Sequence, residues 1–240
     1  MRKTQRLDKI LSNMGYGSRK EVKQLIKKGV VSVDSICVLD SSITIDPYKC
    51  RIMVNEKLLV YKQYIYIMMN KPIGVISATC DNELKTVIDI LPEEYRHYNP
   101  FPAGRLDIDT VGLLLLTNAG KLAHRLTSPT NLIPKKYYAL VDGRVTEFDI
   151  EKFREGVLLD DGYRAMPSEL KILRSGLVSE VELIIYEGKF HQVKRMFKST
   201  GKSVRYLKRL EIGNLVLDDM LHEGECRELT EEELDKLIEV

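Results

Sequence analysis

The sequence is poor in the residues that build metal centres, disulfide frameworks and membrane spans. Its 240 residues include four cysteines and four histidines, and no two cysteines form a CxxC pair. We therefore expect neither a metal site nor disulfides, and free thiols are typical of a reducing cytoplasm. No apolar run approaches the roughly 18 residues that a transmembrane helix needs. The basic N-terminus has no apolar segment behind it, so no signal peptide is predicted.

Charge is small in total but uneven along the chain. Apolar residues make up 44% of the sequence and charged residues 30%, a balance typical of a globular protein. The net charge is +2, whereas residues 1–30 contain nine basic and two acidic residues and carry +7. Such asymmetry suggests that this end of the chain binds an anion.

Two short helices and a strand are predicted in the first 33 residues. Leu7, Ile10, Leu11 and Met14 recur at helical spacing, and Ser18 begins a second helix with a capping box. The basic side chains lie off the apolar stripes, so they should face water. A merely solvated face is the alternative, but the charges are not interleaved with acids, which favours phosphate binding. The candidate phosphate contacts are Arg6, Lys9, Arg19, Lys20, Lys23, Lys27 and Lys28.

The segment from Arg6 to Val33 resembles the small RNA-binding domain named after ribosomal protein S-four. The resemblance implies that its two helices present Arg and Lys to structured RNA. That family usually continues with an Asn-Gly turn, whereas this chain has Asp34-Ser35, so we expect a different turn. A domain boundary is predicted near residue 62, which gives an RNA-binding domain with linker at 1–62 and a second domain at 63–240.

A charged loop followed by a leucine run stands out at residues 102–120, PAGRLDIDTVGLLLLTNAG. Its charged part lies between Gly104 and Gly112, where the backbone is free to turn sharply. The four leucines at 113–116 are typical of a buried strand, although periodicity alone also allows a buried helix turn. Composition alone leaves open whether the loop is a functional site or a solvated surface turn.

The rest of the chain alternates between strand-like and helix-like segments. Strands are predicted at 64–69, 136–141, 169–172, 178–186 and 215–217, and a hairpin joins the third to the fourth. Helices are predicted over 87–91, from 121 to 126, from 148 to 157, from 193 to 197 and after Thr230, which has Glu233 for a capping box.

Four stretches together resemble the pseudouridine synthases of the RsuA/RluB group over nearly the whole chain. They are NKPIGVIS at 70–77, the loop and leucine run at 102–120, KYYALV at 136–141 and EGKFHQVKRMF at 187–197. The resemblance implies an α+β protein. The small αα-β RNA-binding domain would be followed by a catalytic domain built on a mixed, mostly antiparallel sheet with flanking helices.

The resemblance also assigns roles to residues. Asp107 corresponds to the catalytic aspartate and Arg105 to the arginine that fills the gap left by a flipped nucleotide. Tyr138 is matched to the active-site tyrosine of a K-x-Y pattern, and Lys194 to the basic partner of the aspartate. Asp109 belongs to the pattern without being the nucleophile. The neighbouring candidate RNA contacts are His191, Gln192 and Arg195; Ala119 departs from the family, which often has Asp there.

The implied reaction is isomerisation of a uridine in ribosomal RNA to pseudouridine without a cofactor. Length and the form of the loop motif favour the small-subunit enzyme, whose target is uridine 516 of 16S RNA. A 23S target is the alternative within the enzyme class, and a non-catalytic RNA-binding assembly factor is the alternative from another class. The expected partner is ribosomal RNA or a ribosome assembly intermediate, and the expected state is a cytoplasmic monomer.

Overall fold

The structure, a computed structural model, describes residues 4–239, so Arg2 and Lys3 of the basic segment lie outside it. The described chain divides into two compact units. The first comprises the residues up to Ile65 together with Pro92–Asn99, and the second comprises Tyr66–Leu91 and the residues from Pro100 onward. The functional division at residue 62 stays a prediction. No helix within residues 4–239 is long and apolar enough to cross a membrane.

The first unit is built from short elements around a small apolar core. These are β1 (Gln5–Arg6), α1 (Leu7–Asn13), α2 (Arg19–Lys27), β2 (Val31–Val33), β3 (Ile36–Cys37), β4 (Thr44–Ile45), β5 (Ile52–Val54), β6 (Lys57–Leu58) and α3 (Glu93–Arg96). Strands pair in the order β3-β2-β5-β6, and β1 pairs with β4. The predicted apolar stripe is confirmed, because Leu7, Ile10 and Leu11 are fully buried. The capping box of Ser18 and Glu21 is also confirmed.

The basic side chains of this unit face water, as predicted. Arg6, Lys9, Arg19, Lys20, Lys23, Lys27 and Lys28 are all exposed. Arg6 also pairs with the buried Asp8 at 2.8 Å. The expectation of a different turn after Val33 is wrong. Asp34 and Ser35 have φ values of 51° and 69°, the left-handed conformation that an Asn-Gly hairpin turn also needs.

The second unit is organised around one sheet. Its elements are β7 (Tyr66–Lys71), β8 (Phe101–Pro102), β9 (Val111–Thr117), α4 (Gly120–Thr127), β10 (Lys135–Asp142), α5 (Glu147–Glu155), β11 (Glu169–Arg174), β12 (Val178–Ile185), α6 (Gln192–Ser199), β13 (Ser203–Ile212), β14 (Leu215–Val216), β15 (Cys226–Glu228) and α7 (Glu231–Ile238). The main path is β11-β12-β10-β13-β9-β7-β15. Among the described strands only β9 and β13 pair in parallel. The prediction of a mixed, mostly antiparallel sheet is confirmed.

The leucine run is the buried strand β9, in the middle of this sheet. Every residue from Val111 to Thr117 is buried, so the alternative of a helix turn is excluded. Gly112 lets β13 approach closely: its φ is 100°, and an added Cβ would lie 2.3 Å from the carbonyl oxygen of Arg209. No other residue type fits there without moving backbone. The charged loop is therefore attached to a rigid support.

Two local predictions differ from the structure. The segment 87–91 forms turns, because Asp89 accepts hydrogen bonds from the Thr86 amide and hydroxyl, and the helix begins only after Pro92. The ten-residue strand β13 was not predicted. Its sequence, SVRYLKRLEI, contains the three basic residues Arg205, Lys208 and Arg209 and so does not look like a central strand.

Candidate active site

The charged loop 105–110 meets the first turn of α6, which is far away in sequence. The Nζ atom of Lys194 lies 3.0 Å from Oδ2 of Asp107 and 2.5 Å from Oδ1 of Asp109. The Nε2 atom of His191 lies 3.7 Å from Oδ1 of Asp107. The structure thus brings Asp107 and Lys194 together as the resemblance implies, and it adds Asp109 as a second partner of the same ammonium.

This cluster keeps its lysine charged. Burial alone would lower the pKa of Lys194, but hydrogen bonds to Asp109 and Asp107 outweigh burial and raise the pKa above its usual value. Burial likewise acts to raise the pKa of Asp109, and the bond to Lys194 lowers it overall. The result is an ammonium that holds two carboxylates. Asp107 is the less exposed of the two, with 27% of its side chain accessible against 57% for Asp109.

The loop is held from behind by the segment NKPIGVIS. The hydroxyl of Ser77 donates to the carbonyl of Leu106 and accepts from its amide, both at 3.0 Å. The amide of Gly74 donates to the carbonyl of Ile108 at 2.9 Å. These bonds clamp the backbone on both sides of Asp107. They give this motif a positioning role that sequence reasoning left unassigned.

Lys71 completes the clamp from a fully buried position. Its ammonium donates to the carbonyl of Thr110 at 2.9 Å and of Pro72 at 3.0 Å, and it reaches that of Ile108 at 3.5 Å. Burial lowers the pKa of Lys71 to about 8, although the carboxylates of Asp109 and Asp107 partly oppose the shift. Sequence reasoning did not single out this residue, since a lysine is usually solvated.

The structure places Tyr137, and not Tyr138, beside Asp107. Side chains alternate along β10, and Tyr137 lines the hollow that contains Asp107, whereas Tyr138 points to the opposite face of the sheet. There its ring lies 6.3 Å from that of Tyr206, and burial together with the nearby Glu180 carboxylate raises its pKa. A K-x-Y pattern fits Lys135 with Tyr137 as well as Lys136 with Tyr138. Only the alternation of the strand separates the two readings.

Two adjoining hollows lie in front of Asp107. They share Arg105, Asp107, Tyr137, Gly188 and Lys189, and the larger one has a volume of about 350 Å³. Arg105 is exposed at this opening. Buried Lys135 lies in the wall, where burial and the charge of Arg209 lower its pKa to about 8. The site therefore combines a carboxylate held by an ammonium, several cations and an aromatic face.

The turn that begins α6 is fixed by a buried network and not by its exposed charges. Glu187, 2% exposed, accepts from the hydroxyl of Tyr163 at 2.6 Å and from the amide nitrogen of Gln192 at 2.9 Å. The oxygen of the same Gln192 amide accepts from the backbone of Lys189 at 2.8 Å. Gln192 is buried with both ends of its amide engaged. It supports the turn from inside while also lining the hollow that contains Asp107, and its role as an RNA contact stays a prediction.

The remaining candidate of this segment, Arg195, is held by acids. Its guanidinium lies 2.6 Å from Asp160 and 2.7 Å from Asp161, and hydrogen bonds to the two carboxylates raise its pKa. An RNA phosphate that contacts Arg195 must therefore either displace these carboxylates or bind the guanidinium in addition to them.

The site holds a carboxylate beside an ammonium, an arginine at its opening and a buried tyrosine. This combination is suited to act on a base that has left its helix. The model of the RNA pseudouridylate synthase family matches residues 65–199, and that of the S4 domain matches residues 5–47. The chain belongs to the RNA pseudouridylate synthase family. It is an isomerase that acts on RNA, and its N-terminal segment is an S4 RNA-binding domain.

Relatives match over almost the whole chain. An uncharacterised RNA pseudouridine synthase of Bacillus subtilis, YtzG, is 48% identical over 98% of both chains. Ribosomal small subunit pseudouridine synthase A of Vibrio cholerae is 37% identical, over 95% of this chain and 97% of its own. Ribosomal large subunit pseudouridine synthase B of Bacillus subtilis is also 37% identical, over 97% and 95%. A crystal structure of a pseudouridylate synthase has 35% identity and a TM-score of 0.68, over 97% and 99%.

Proposed function

We propose that this enzyme converts one uridine of 16S ribosomal RNA, uridine 516, to pseudouridine, with Asp107 as its essential carboxylate. The observation that carries the proposal is the 3.0 Å contact between Asp107 and Lys194, two residues 87 positions apart that meet at the hollow lined by Arg105 and Tyr137. The substrate is the RNA alone or within a ribosome assembly intermediate in the cytoplasm. The enzyme acts as a monomer and needs no cofactor.

The ribosomal subunit is the finer part of the proposal. A small-subunit relative supports 16S RNA, but a large-subunit relative has the same identity of 37%. The second candidate is therefore a 23S uridine. To separate the two, transcripts of both rRNAs labelled with tritium at carbon 5 of uridine are incubated with the purified enzyme. We expect tritium release from the 16S transcript; release from the 23S transcript alone would move the target to the large subunit.

The proposed chemistry breaks the bond between N1 of uracil and the sugar, turns the base, and joins carbon 5 to the same sugar carbon. Carbon 5 then releases its proton to water, and N1 takes up a proton. The target base must leave the stack first. Arg105 is exposed, planar and always charged, so it suits the vacated stack and the neighbouring phosphates. Asp107 acts at the freed base or sugar, as a nucleophile or as the stabiliser of an oxocarbenium-like state. Lys194 holds that carboxylate in place through the contact at 3.0 Å.

Tyr137 takes the role first assigned to its neighbour. It is buried at 7% exposure beside the hollow, so its ring offers a flat face to uracil and its hydroxyl can relay the carbon 5 proton. Replacing Tyr137 by Phe keeps the face and removes the hydroxyl. We expect kcat to fall by about 10²- to 10⁴-fold, the usual contribution of a positioned acid or base, with little change in KM.

The matched control is Tyr138→Phe, which removes the same hydroxyl from the opposite face of β10. We expect it to change tritium release less than twofold, roughly the limit for a surface substitution. If Tyr138→Phe were the damaging change and Tyr137→Phe the harmless one, the assignment by strand alternation would be wrong.

The S4 domain supplies sequence-independent affinity in this proposal. Lys23, Lys27 and Lys28 are exposed basic residues of α2 and its end. Replacing all three by Ala should weaken RNA binding and flatten the dependence of log affinity on log salt, by about 0.7–0.9 for each phosphate that is no longer neutralised. Filter binding to the 16S transcript at several salt concentrations measures both quantities.

The same domain offers a control with an equal change in charge. Lys49, Arg51 and Lys57 are also exposed but lie outside the two helices. Their triple replacement by Ala should leave the salt slope nearly unchanged. Equal slopes for the two triple variants would mean that the helices are not the RNA anchor.

A further inference from the structure

Beside the catalytic hollow lies a stack of two aromatic rings that the chemistry above does not use. The Phe190 ring is stacked on the His191 imidazole, with centroids 3.8 Å apart and planes 18° apart. Phe190 is 72% exposed. An isolated exposed phenylalanine is ordinary, so exposure alone implies nothing. Two features distinguish this ring: the turn that carries it and the two hollows that it borders.

The support is rigid. His191 has a φ of 49°, in the left-handed region that residues other than glycine seldom occupy. Gln192 and the buried Glu187 hold the turn from inside, and the carbonyl of Phe190 accepts from Arg195 at 3.4 Å. An aromatic ring on a mobile loop would give up freedom on binding a ligand. This ring is already fixed, so less freedom is given up when it binds.

The surroundings join the catalytic hollow to a second groove. Phe190 borders the hollow of about 350 Å³ that contains Arg105 and Asp107. It also borders an open groove of about 680 Å³, which is lined by Asp160, Asp161, Phe190, His191, Lys194, Arg195 and Lys198. Asp107 contacts His191 at 3.7 Å, and His191 stacks on Phe190. A ligand that stacks on the Phe190 ring therefore lies close to Asp107.

The charges of this groove decide which part of a nucleic acid suits it. Asp160 and Asp161 stand on its wall and already hold Arg195. Two carboxylates repel backbone phosphate, whereas a neutral base can offer its amino edge to them and its flat face to the ring. Lys198 lies at 3.8 Å from Asp160 but is itself largely exposed, so its ammonium can also reach a phosphate beside the base.

We infer that the Phe190–His191 stack is a second base-binding subsite, which holds an unpaired base flanking the target uridine. The inference rests on the proposed function insofar as the ligand is the RNA substrate. Stacking on an aromatic face tolerates different bases and contributes a measurable share of affinity for single-stranded RNA. The subsite holds the strand on one side while the target base occupies the hollow.

The test measures affinity and turnover separately. Phe190→Ala should weaken binding to the substrate transcript by about 5- to 100-fold, the range for removal of one base–aromatic stack. Phe190→Tyr should restore binding, whereas Phe190→Leu, which keeps apolar bulk but no ring, should not. The decrease should be the same at every salt concentration, because every phosphate-binding cation is still present. In tritium release the change should appear in KM and not in kcat.

The controls separate this inference from the proposed function. Leu177, 94% exposed on the turn between β11 and β12, serves as a matched apolar residue, and Leu177→Ala should bind normally. Binding is measured to both rRNA transcripts in enzymes that also carry Asp107→Asn, so the result stands even without turnover. Unchanged affinity of the Phe190→Ala enzyme for both transcripts, or full rescue by Leu, would overturn the base-binding subsite.

Discussion

The Asp107→Asn enzyme is expected to bind RNA normally and to form no pseudouridine. An amide keeps the size of the side chain and its contact with Lys194 but removes the negative charge. Since both roles open to Asp107 require that charge, we expect kcat to fall by on the order of 10⁴-fold or more, as when one member of a catalytic group is removed. Tritium release and RNA affinity, measured on one preparation, separate chemistry from binding.

Asp109→Asn is the control for this prediction. Asp109 contacts the same ammonium at 2.5 Å but is far more exposed. It therefore interacts with the same positive charge as Asp107, but its carboxylate is not directed at the hollow as that of Asp107 is. We expect a decrease of about tenfold, from the weaker hold on Lys194, a change worth about 1.4 kcal/mol. Equal decreases in both variants would mean that the ion cluster as a whole, and not Asp107, is essential.

Lys71→Met should reduce kcat by about 10²-fold although Lys71 is fully buried behind the loop. Its ammonium donates to the carbonyls of Thr110 and Pro72, which fix the backbone that carries Asp107. Methionine fills the same space but cannot donate a hydrogen bond. A displacement of about 1 Å at a catalytic group can cost about 10²-fold. Steady-state kinetics and RNA affinity of the variant test this, and a normal kcat would contradict a positioning role.

Lys71→Met should also change how the free energy of unfolding depends on pH. The pKa of Lys71 is lowered to about 8 in the folded state, against 10.5 for an exposed lysine. Between these values the unfolded chain binds more protons than the folded one, so stability increases as pH rises. Below pH 8 Lys71 is charged in both the folded and the unfolded state, so the free-energy cost of burying its charge is fully present.

The comparison with Lys71→Met isolates this contribution, because Lys135 and the other titrating groups are common to both proteins. From pH 8 to 10.5 the free energy of unfolding of the natural protein should rise relative to Lys71→Met, by roughly 3 kcal/mol at most. Urea unfolding across this pH range measures the difference. A constant difference would mean that Lys71 does not titrate with a lowered pKa.

The elements that sequence predicts well are those in which local rules and burial agree. The stripe of Leu7, Ile10 and Leu11, the capping box at Ser18 and the leucine run all follow from spacing alone. The pairing of Asp107 with Lys194 could not be found in this way, since no local rule joins residues 87 positions apart. It came from the family resemblance.

The differences between the sequence predictions and the structure have physical causes as well. Two adjacent tyrosines satisfy the same short pattern, and only the alternation of β10 shows that Tyr137 and not Tyr138 faces Asp107. Gln192 is a polar residue of a type that is usually exposed, yet the turn it closes requires it inside. Lys71 and Arg209 are buried cations held by carbonyl groups, an environment created by distant strands and invisible in composition.

Mapping pseudouridine across both rRNAs, in cells that lack this protein and in cells complemented with it, tests the central proposal most directly. We predict that uridine 516 of 16S RNA stays unmodified without the protein. We also predict that the natural enzyme restores the modification and that the Asp107→Asn enzyme does not. Disappearance of a 23S site with uridine 516 still modified would contradict the assigned target. Restoration by Asp107→Asn would contradict the assigned chemistry.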